Sequence, residues 1–200
     1  MGEYRDGVLE PRLIHLIQIS LCAATGSLED LGAAIREALS EKVRQSEIRE
    51  AILETYLFAG YPRAINALAA LQKESEGMDS DTATASSEEA SLSEDPESLE
   101  ERGLRLMDLI YGRSLPSLLS NMKALDPDLA RWIVREGYGK VLARPGLDVK
   151  ARELCVVAIL RVMDSVPQLE AHMKGAMNAG AGREEIDGAL ALALRKMISR

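Results

Sequence analysis

Residues 144–160 read RPGLDVKARELCVVAIL. Pro145-Gly146 is turn chemistry, since proline fixes φ and glycine has no Cβ to clash. Asp148 stands where a starting helix needs an acceptor for its unpaired N–H groups, which makes it the expected N-cap of a helix running to about Met163. Residues 8–25, VLEPRLIHLIQISLCAAT, read the same way. Pro11 suits a first helical turn, and Leu13, Ile14, Leu16, Ile17, Ile19 and Leu21 cover nearly every face, so that helix is expected to be buried on most sides.

Working outward, Leu28, Leu31, Ile35, Ala38 and Leu39 recur at helical spacing after Gly26, with Ser27 and Asp30 as an approximate capping pair. A third helix is expected over 46–59, ended by Gly60, and a fourth over 63–71, opened by Pro62. In the second half the pattern predicts helices over 99–111 and 128–136. A loop carrying Gly112, Pro116, Asn121 and Pro127 is expected between them. Pro167 opens a helix that ends before Gly180, and Gly182 with Glu185 forms a weak capping box for a last helix to about Met197. Aromatics make up only 4% of the chain while Ala and Leu abound, a composition that favours helices over sheets. The expected fold is all-α.

The formal net charge of -8 is unevenly spread. Residues 74–100 hold ten acidic side chains and no Lys or Arg; removing them from 32 leaves 22 acids against 24 bases, a nearly neutral remainder. Seven serines and few large apolar groups cannot bury enough surface to offset ordering entropy. Residues 74–98 are therefore read as a solvated acidic linker between a first helical unit, 1–73, and a second, 99–200. No basic stripe or aromatic platform appears, so nucleic acid is not an expected partner. No apolar run approaches the roughly 20 residues that span a bilayer, and residues 1–10 lack the apolar core of a secretory leader. Cys22 and Cys155 are far apart, which fits a reducing cytoplasm better than a disulfide framework.

The halves resemble each other. AMNAGAGREEIDGAL, 176–190, lies without gaps over ALSEKVRQSEIREAI, 38–52. Upstream, Arg152-Glu153-Leu154 lies approximately over Pro11-Arg12-Leu13 after a change in length, which sets His15 near Cys155 and Ala34 at His172. An internal duplication is expected.

The run RPGLDVKARELCVVAIL followed by LEAHMKGAMNAGAGREEI resembles the carboxymuconolactone decarboxylase family, related to alkylhydroperoxidase D. Ala59-Gly60-Tyr61-Pro62 resembles that family's closing signature, and residues 101–112 its N-terminal helix. The resemblance covers about residues 9–71 and 100–195. It implies an alkylhydroperoxidase D-like helical bundle built from two related units, and self-assembly as a homo-oligomer, a trimer or hexamer.

The resemblance also implies chemistry. The peroxidase relatives need Cys-x-x-Cys, and Cys155 is followed by Val156, Val157 and Ala158, so no thiol relay is expected. Cys155 sits in an apolar run that raises a thiol pKa. The decarboxylase relatives imply His172 as a proton shuttle, Arg144 and Arg152 as anchors for a substrate carboxylate, and Tyr138 in the aromatic-Gly stretch as a substrate contact. That stretch departs from the family pattern, with Lys140 for an acid and Leu142 for a tryptophan. His172, with Leu169, Met173 and Ala176 on adjacent faces, also fits a packed core histidine, and His15 reads as structural. Glu153, Glu184 and Glu185 read as helix N-terminal charges. Met163, Met173, Met177 and Met197 read as core filler. Two histidines without Cys/His ligand spacing predict no zinc site, and no cofactor is expected. Two readings stand: a carboxy-lyase acting on a small carboxylated lactone or organic acid, or a non-catalytic oligomerisation module with a decayed site.

Overall fold

The computed structural model describes residues 9–76 and 95–198. Every element among them is helical. The first four helices are α1 (Pro11–Thr25), α2 (Leu28–Ser40), α3 (Gln45–Ala59) and α4 (Tyr61–Glu74). They are followed by α5 (Pro96–Tyr111), α6 (Leu115–Leu125) and α7 (Pro127–Trp132). The chain then continues through a π-helical segment, Ile133–Leu142, to α8 (Val149–Val162), α9 (Val166–Asn178) and α10 (Arg183–Ile198).

Two expected caps form, while Ser27 caps no backbone N–H and instead donates to Asp30 Oδ2 at 2.6 Å. Asp148 accepts from the Ala151 N–H at 2.9 Å, and Glu185 accepts from the Gly182 N–H at 2.8 Å. Three expectations need correction. The stretch 115–125 is helical, because Pro116 sits in a first turn where its missing N–H is no loss. The helix expected over 99–111 begins at Pro96, capped by Asp95, which accepts from the Ser98 N–H at 3.0 Å; its first turn takes in residues read as linker. Of the methionines read as core, Met163, Met177 and Met197 are exposed, and only Met173 packs against the core. Most of the acidic linker lies outside the described residues.

α1 and α8 pack on each other at the centre. Around α1 lie α2, α3 and α4, while α8 is flanked by α9 and α10. All ten residues from Ala151 to Leu160 are buried, so α8 meets protein on every side. One apolar core therefore draws on both units: Leu13, Ile17 and Ile35 from the first, Leu154, Ala158 and Ile186 from the second. A second cluster joins α5, α6 and the π-helical segment to Val156 and Leu160 of α8.

The likeness of the two halves has a backbone counterpart with a constant offset. Gly26 (φ 74) and Asp164 (φ 55) close the first loop of each unit in the left-handed region, 138 residues apart. Lys42 (φ 62) and Gly180 (φ 94) close the second, again 138 apart. The bonds repeat as well: Ser27 N–H to Cys22 O and Ser165 N–H to Leu160 O, then Val43 N–H to Ala38 O and Ala181 N–H to Ala176 O. The pair Arg12–Glu47 recurs as Lys150–Glu185 at the same offset. No change in length intervenes, which corrects the alignment near α1: Ile14 stands at Arg152 and His15 at Glu153, while Ala34 does stand at His172.

Candidate active site

α8 and α9 face each other, and each contributes one polar group to a buried contact. His172 Nδ1 of α9 lies 2.9 Å from Glu153 Oε2 of α8. Both side chains are almost fully shielded, at 7% and 2% exposure. A carboxylate can only accept, so Nδ1–H donates to it and Nε2 is left as the basic nitrogen. Gly175, one turn after His172, makes room for this pair. A Cβ there would sit 2.6 Å from Glu153 Oε2 and 2.6 Å from Ile110 Cγ2. Asn178 fixes α9 against α5 by donating to the Ile110 carbonyl at 2.6 Å.

The imidazole lines a cavity of about 760 Å³. Phe58 meets it edge-on with centroids 6.0 Å apart, and Tyr111 does so at 6.4 Å. Tyr111 from the end of α5 shares a hydroxyl–hydroxyl hydrogen bond with Tyr138 from the π-helical segment. Burial pushes Tyr111 up to about 12 and Tyr138 well above its ordinary value, so both keep their protons at neutral pH. The wide turn puts Tyr138 there: Ala143 N–H reaches back five residues to its carbonyl. Such π-helical turns recur at functional sites. Leu57, Met107, Leu118, Ile133 and Leu142 complete the walls. At the mouth stand Tyr61, Leu125, Leu129 and Trp132, all exposed.

Of the residues singled out from the sequence, the structure brings His172 and Tyr138 to one cavity. Arg144 and Arg152 are not among its lining. Arg144 grips Glu50 with two nitrogens, Nε at 2.9 Å and Nη2 at 3.0 Å. Arg152 is 1% exposed and donates to Glu50 Oε2 at 2.9 Å, to the Arg144 carbonyl at 2.9 Å and to Glu54 Oε2 at 3.3 Å. Glu54 is wholly buried; burial pushes its carboxyl up to about 8 against the pull of Arg152. Among the described residues, Glu54 Oε1 and Arg152 Nε have no hydrogen-bond partner. Cys155 is fully buried, and that burial raises its thiol far above the usual range. Cys22 is raised by burial, partly offset by Lys196. Among the described residues no group of three or more His, Cys, Asp or Glu side chains is arranged to hold a metal, and no helix is long and apolar enough to cross a membrane.

Sequence reasoning missed Glu153, Tyr111, Glu50 and Glu54. Glu153 read as a first-turn charge, yet it lies five residues past the Asp148 cap, inside an apolar run where an unpaired carboxylate is costly. Glu50 and Glu54 are like charges four apart on one helix, an unfavourable pair unless a cation joins them. Both signals were in the sequence; nothing marked Tyr111.

A family model described as carboxymuconolactone decarboxylase family matches residues 1–73 and 127–194. "Peroxisomal protein 2" of Schizosaccharomyces pombe is 28% identical over 194 residues, covering 94% of this chain and 87% of that protein. "Peroxisomal protein 2" of Saccharomyces cerevisiae is 27% identical over 175 residues, 77% of this chain and 62% of that protein. A 4-carboxymuconolactone decarboxylase of Acinetobacter baylyi is 27% identical over 86 residues, 42% of this chain and 64% of that enzyme. Of the latter two, the matched part is less than two thirds of their length.

Proposed function

The chain belongs to the carboxymuconolactone decarboxylase family, and from that membership together with the cavity we propose that it is an acid–base enzyme whose His172 shuttles a proton on a small organic substrate. One observation carries this reading: a buried His172–Glu153 pair, 2.9 Å apart, with the imidazole lining a substrate-sized cavity. Glu153 fixes the tautomer and steadies the imidazolium that forms when Nε2 takes a proton. The neighbouring tyrosine hydroxyls supply a donor for a developing oxyanion. Decarboxylation of a carboxylated lactone is the version that the Acinetobacter enzyme's name suggests. The support is for the proton shuttle rather than the carboxylate anchor, since both candidate arginines are held by Glu50 and Glu54.

The test is a screen of wild type beside His172→Ala and Glu153→Gln. It reads decarboxylation of carboxylated lactones, and exchange of carbon-bound protons for deuterium by NMR. His172→Ala is expected to lower the rate by about 10²–10⁴. Equal inactivity of wild type and variants on every substrate would overturn the reading.

The second reading, a non-catalytic homo-oligomer, is favoured by one observation. Leu125 is 83% exposed, Tyr61 64% and Trp132 54%, and the three line the same cavity, an exposed group of large side chains of the kind that marks interaction surfaces. Solution mass measured beside the screen tests it. For the compartment, the name shared by two relatives favours the peroxisome over the cytoplasm expected from cysteine usage; microscopy of a fluorescent fusion decides.

A further inference from the structure

The cavity walls say what kind of molecule fits. Its volume of about 760 Å³ falls in the range of roughly 300–1,000 Å³ that encloses drug-sized ligands. Among the described residues lining it there is no Lys or Arg, and the one ionisable carboxyl is Glu136, which is exposed. The polar groups on its more buried side are His172 and the Tyr111–Tyr138 hydroxyl pair; half-buried Tyr56 and exposed Asn121 and Gln168 add uncharged polar groups, while Leu57, Phe58, Met107, Leu118, Ile133 and Leu142 form apolar walls. A substrate carboxylate would be stripped of water there without a cation to pair it. The two arginines that the family resemblance implied for that role, Arg144 and Arg152, are bound to Glu50 and Glu54. The hydroxyl pair holds two protons. One is used between the tyrosines, and the other is left to donate to an acceptor. Because burial raises both phenols, that donor persists across the neutral range.

We propose that the cavity binds an uncharged, predominantly apolar carbonyl compound, an ester, lactone or ketone, whose carbonyl oxygen accepts from the Tyr111–Tyr138 pair while its apolar body extends toward Trp132. The proposal rests on the acid–base reading only for what happens next to His172; binding itself does not need it. It departs from a small carboxylated substrate in both charge and size.

The test uses the full chain and the neutral fluorescent probe N-phenylnaphthylamine, displaced in turn by a medium-chain methyl ketone and by the fatty acid anion of equal length. The probe is expected to bind, and the ketone to displace it at a concentration about tenfold or more below that of the anion. Leu118→Lys, at a partly exposed wall position, is expected to weaken the ketone and strengthen the anion; Met122→Lys serves if the first variant misfolds, judged by circular dichroism. Tyr138→Phe is expected to weaken the ketone at least threefold and leave the probe unchanged. No probe binding, an anion as effective as the ketone, or loss of probe binding at high protein concentration because a second copy covers the mouth would each overturn the proposal. His172→Gln is expected to keep ketone binding within about threefold and to lose turnover. Probe and ketone binding in a wild type that is inactive on every substrate of the screen sinks the acid–base reading alone. Turnover of small carboxylates without probe binding sinks this proposal alone.

Discussion

At Glu54 burial and an ion pair pull in opposite directions. Arg152 lies 3.3 Å from Oε2, but the wholly buried carboxyl is pushed from its ordinary 4.5 up to about 8, so burial prevails and the folded protein holds a proton that the unfolded chain releases. The sign follows from proton linkage: a raised folded-state value adds stability that is complete below about 4.5 and is lost as pH climbs to about 8. Wild type is therefore expected to melt at progressively lower temperature across that window. Glu54→Gln, which keeps the shape of the protonated acid, is expected to show a flatter profile and to melt above wild type at the alkaline end. Thermal melts of both proteins across the window check this, and parallel profiles would refute it. Cys155 gives a second test at this scale. Its burial predicts that the folded protein reacts with a thiol reagent only at the slow rate of opening, and at full speed once denatured. The Cys155 effect was legible in the sequence, because its apolar run already predicts a raised thiol; the Glu54 effect was not, because spacing does not show which buried acid keeps its proton.

Helix by helix, the fold was legible where chemistry is local. Caps and breakers act within three or four residues, so the Asp148 cap, the Gly26 and Gly60 stops and the Pro167 start were all visible in the sequence. The 115–125 helix was not, because proline and glycine read the same in a loop as in a first turn. The π-helical segment was hidden for another reason: it answers to the partner it packs against. α5 and this segment approach so closely that a Cβ on Gly103 would lie 2.1 Å from the Val134 carbonyl oxygen, and one on Gly139 2.0 Å from that of Leu99. Both opposing atoms are backbone and cannot swing aside. Gly139→Ala is expected to destabilise the protein by about 1–3 kcal/mol or more in denaturant titration. Gly175→Ala works on the other face of the site. Its Cβ would displace Glu153, so kcat is expected to fall about a hundredfold or more, as when the base loses its orienting partner, with a smaller loss of stability. A Gly175→Ala enzyme with wild-type kcat would show that the Glu153 contact is structural.

For the whole molecule, the two units are alike in backbone and unlike in side chains, and the site follows from that asymmetry. The 138-residue offset sets His15 at the Glu153 position and Ala34 at the His172 position, so the first unit has a histidine where the second has its acid and an alanine where the second has its histidine. The likeness was legible in sequence because loop closure and helix caps repeat. The shared core was not, because which faces of α1 and α8 meet is a long-range choice that periodicity leaves open. That choice has a consequence for folding. With Leu13 and Ile17 of α1 in one apolar cluster with Leu154 and Ala158 of α8, neither unit can bury its own central helix. The full chain is expected to unfold in a single cooperative step, and Leu154→Ala to lower its stability by about 2–5 kcal/mol without splitting the transition. Residues 95–200 expressed alone are expected to keep helical far-ultraviolet dichroism but lose the near-ultraviolet signal of fixed aromatic packing. Two separated transitions in the full chain, or a cooperatively folding fragment, would mean that the α1–α8 contact joins two finished domains and does not form their common core.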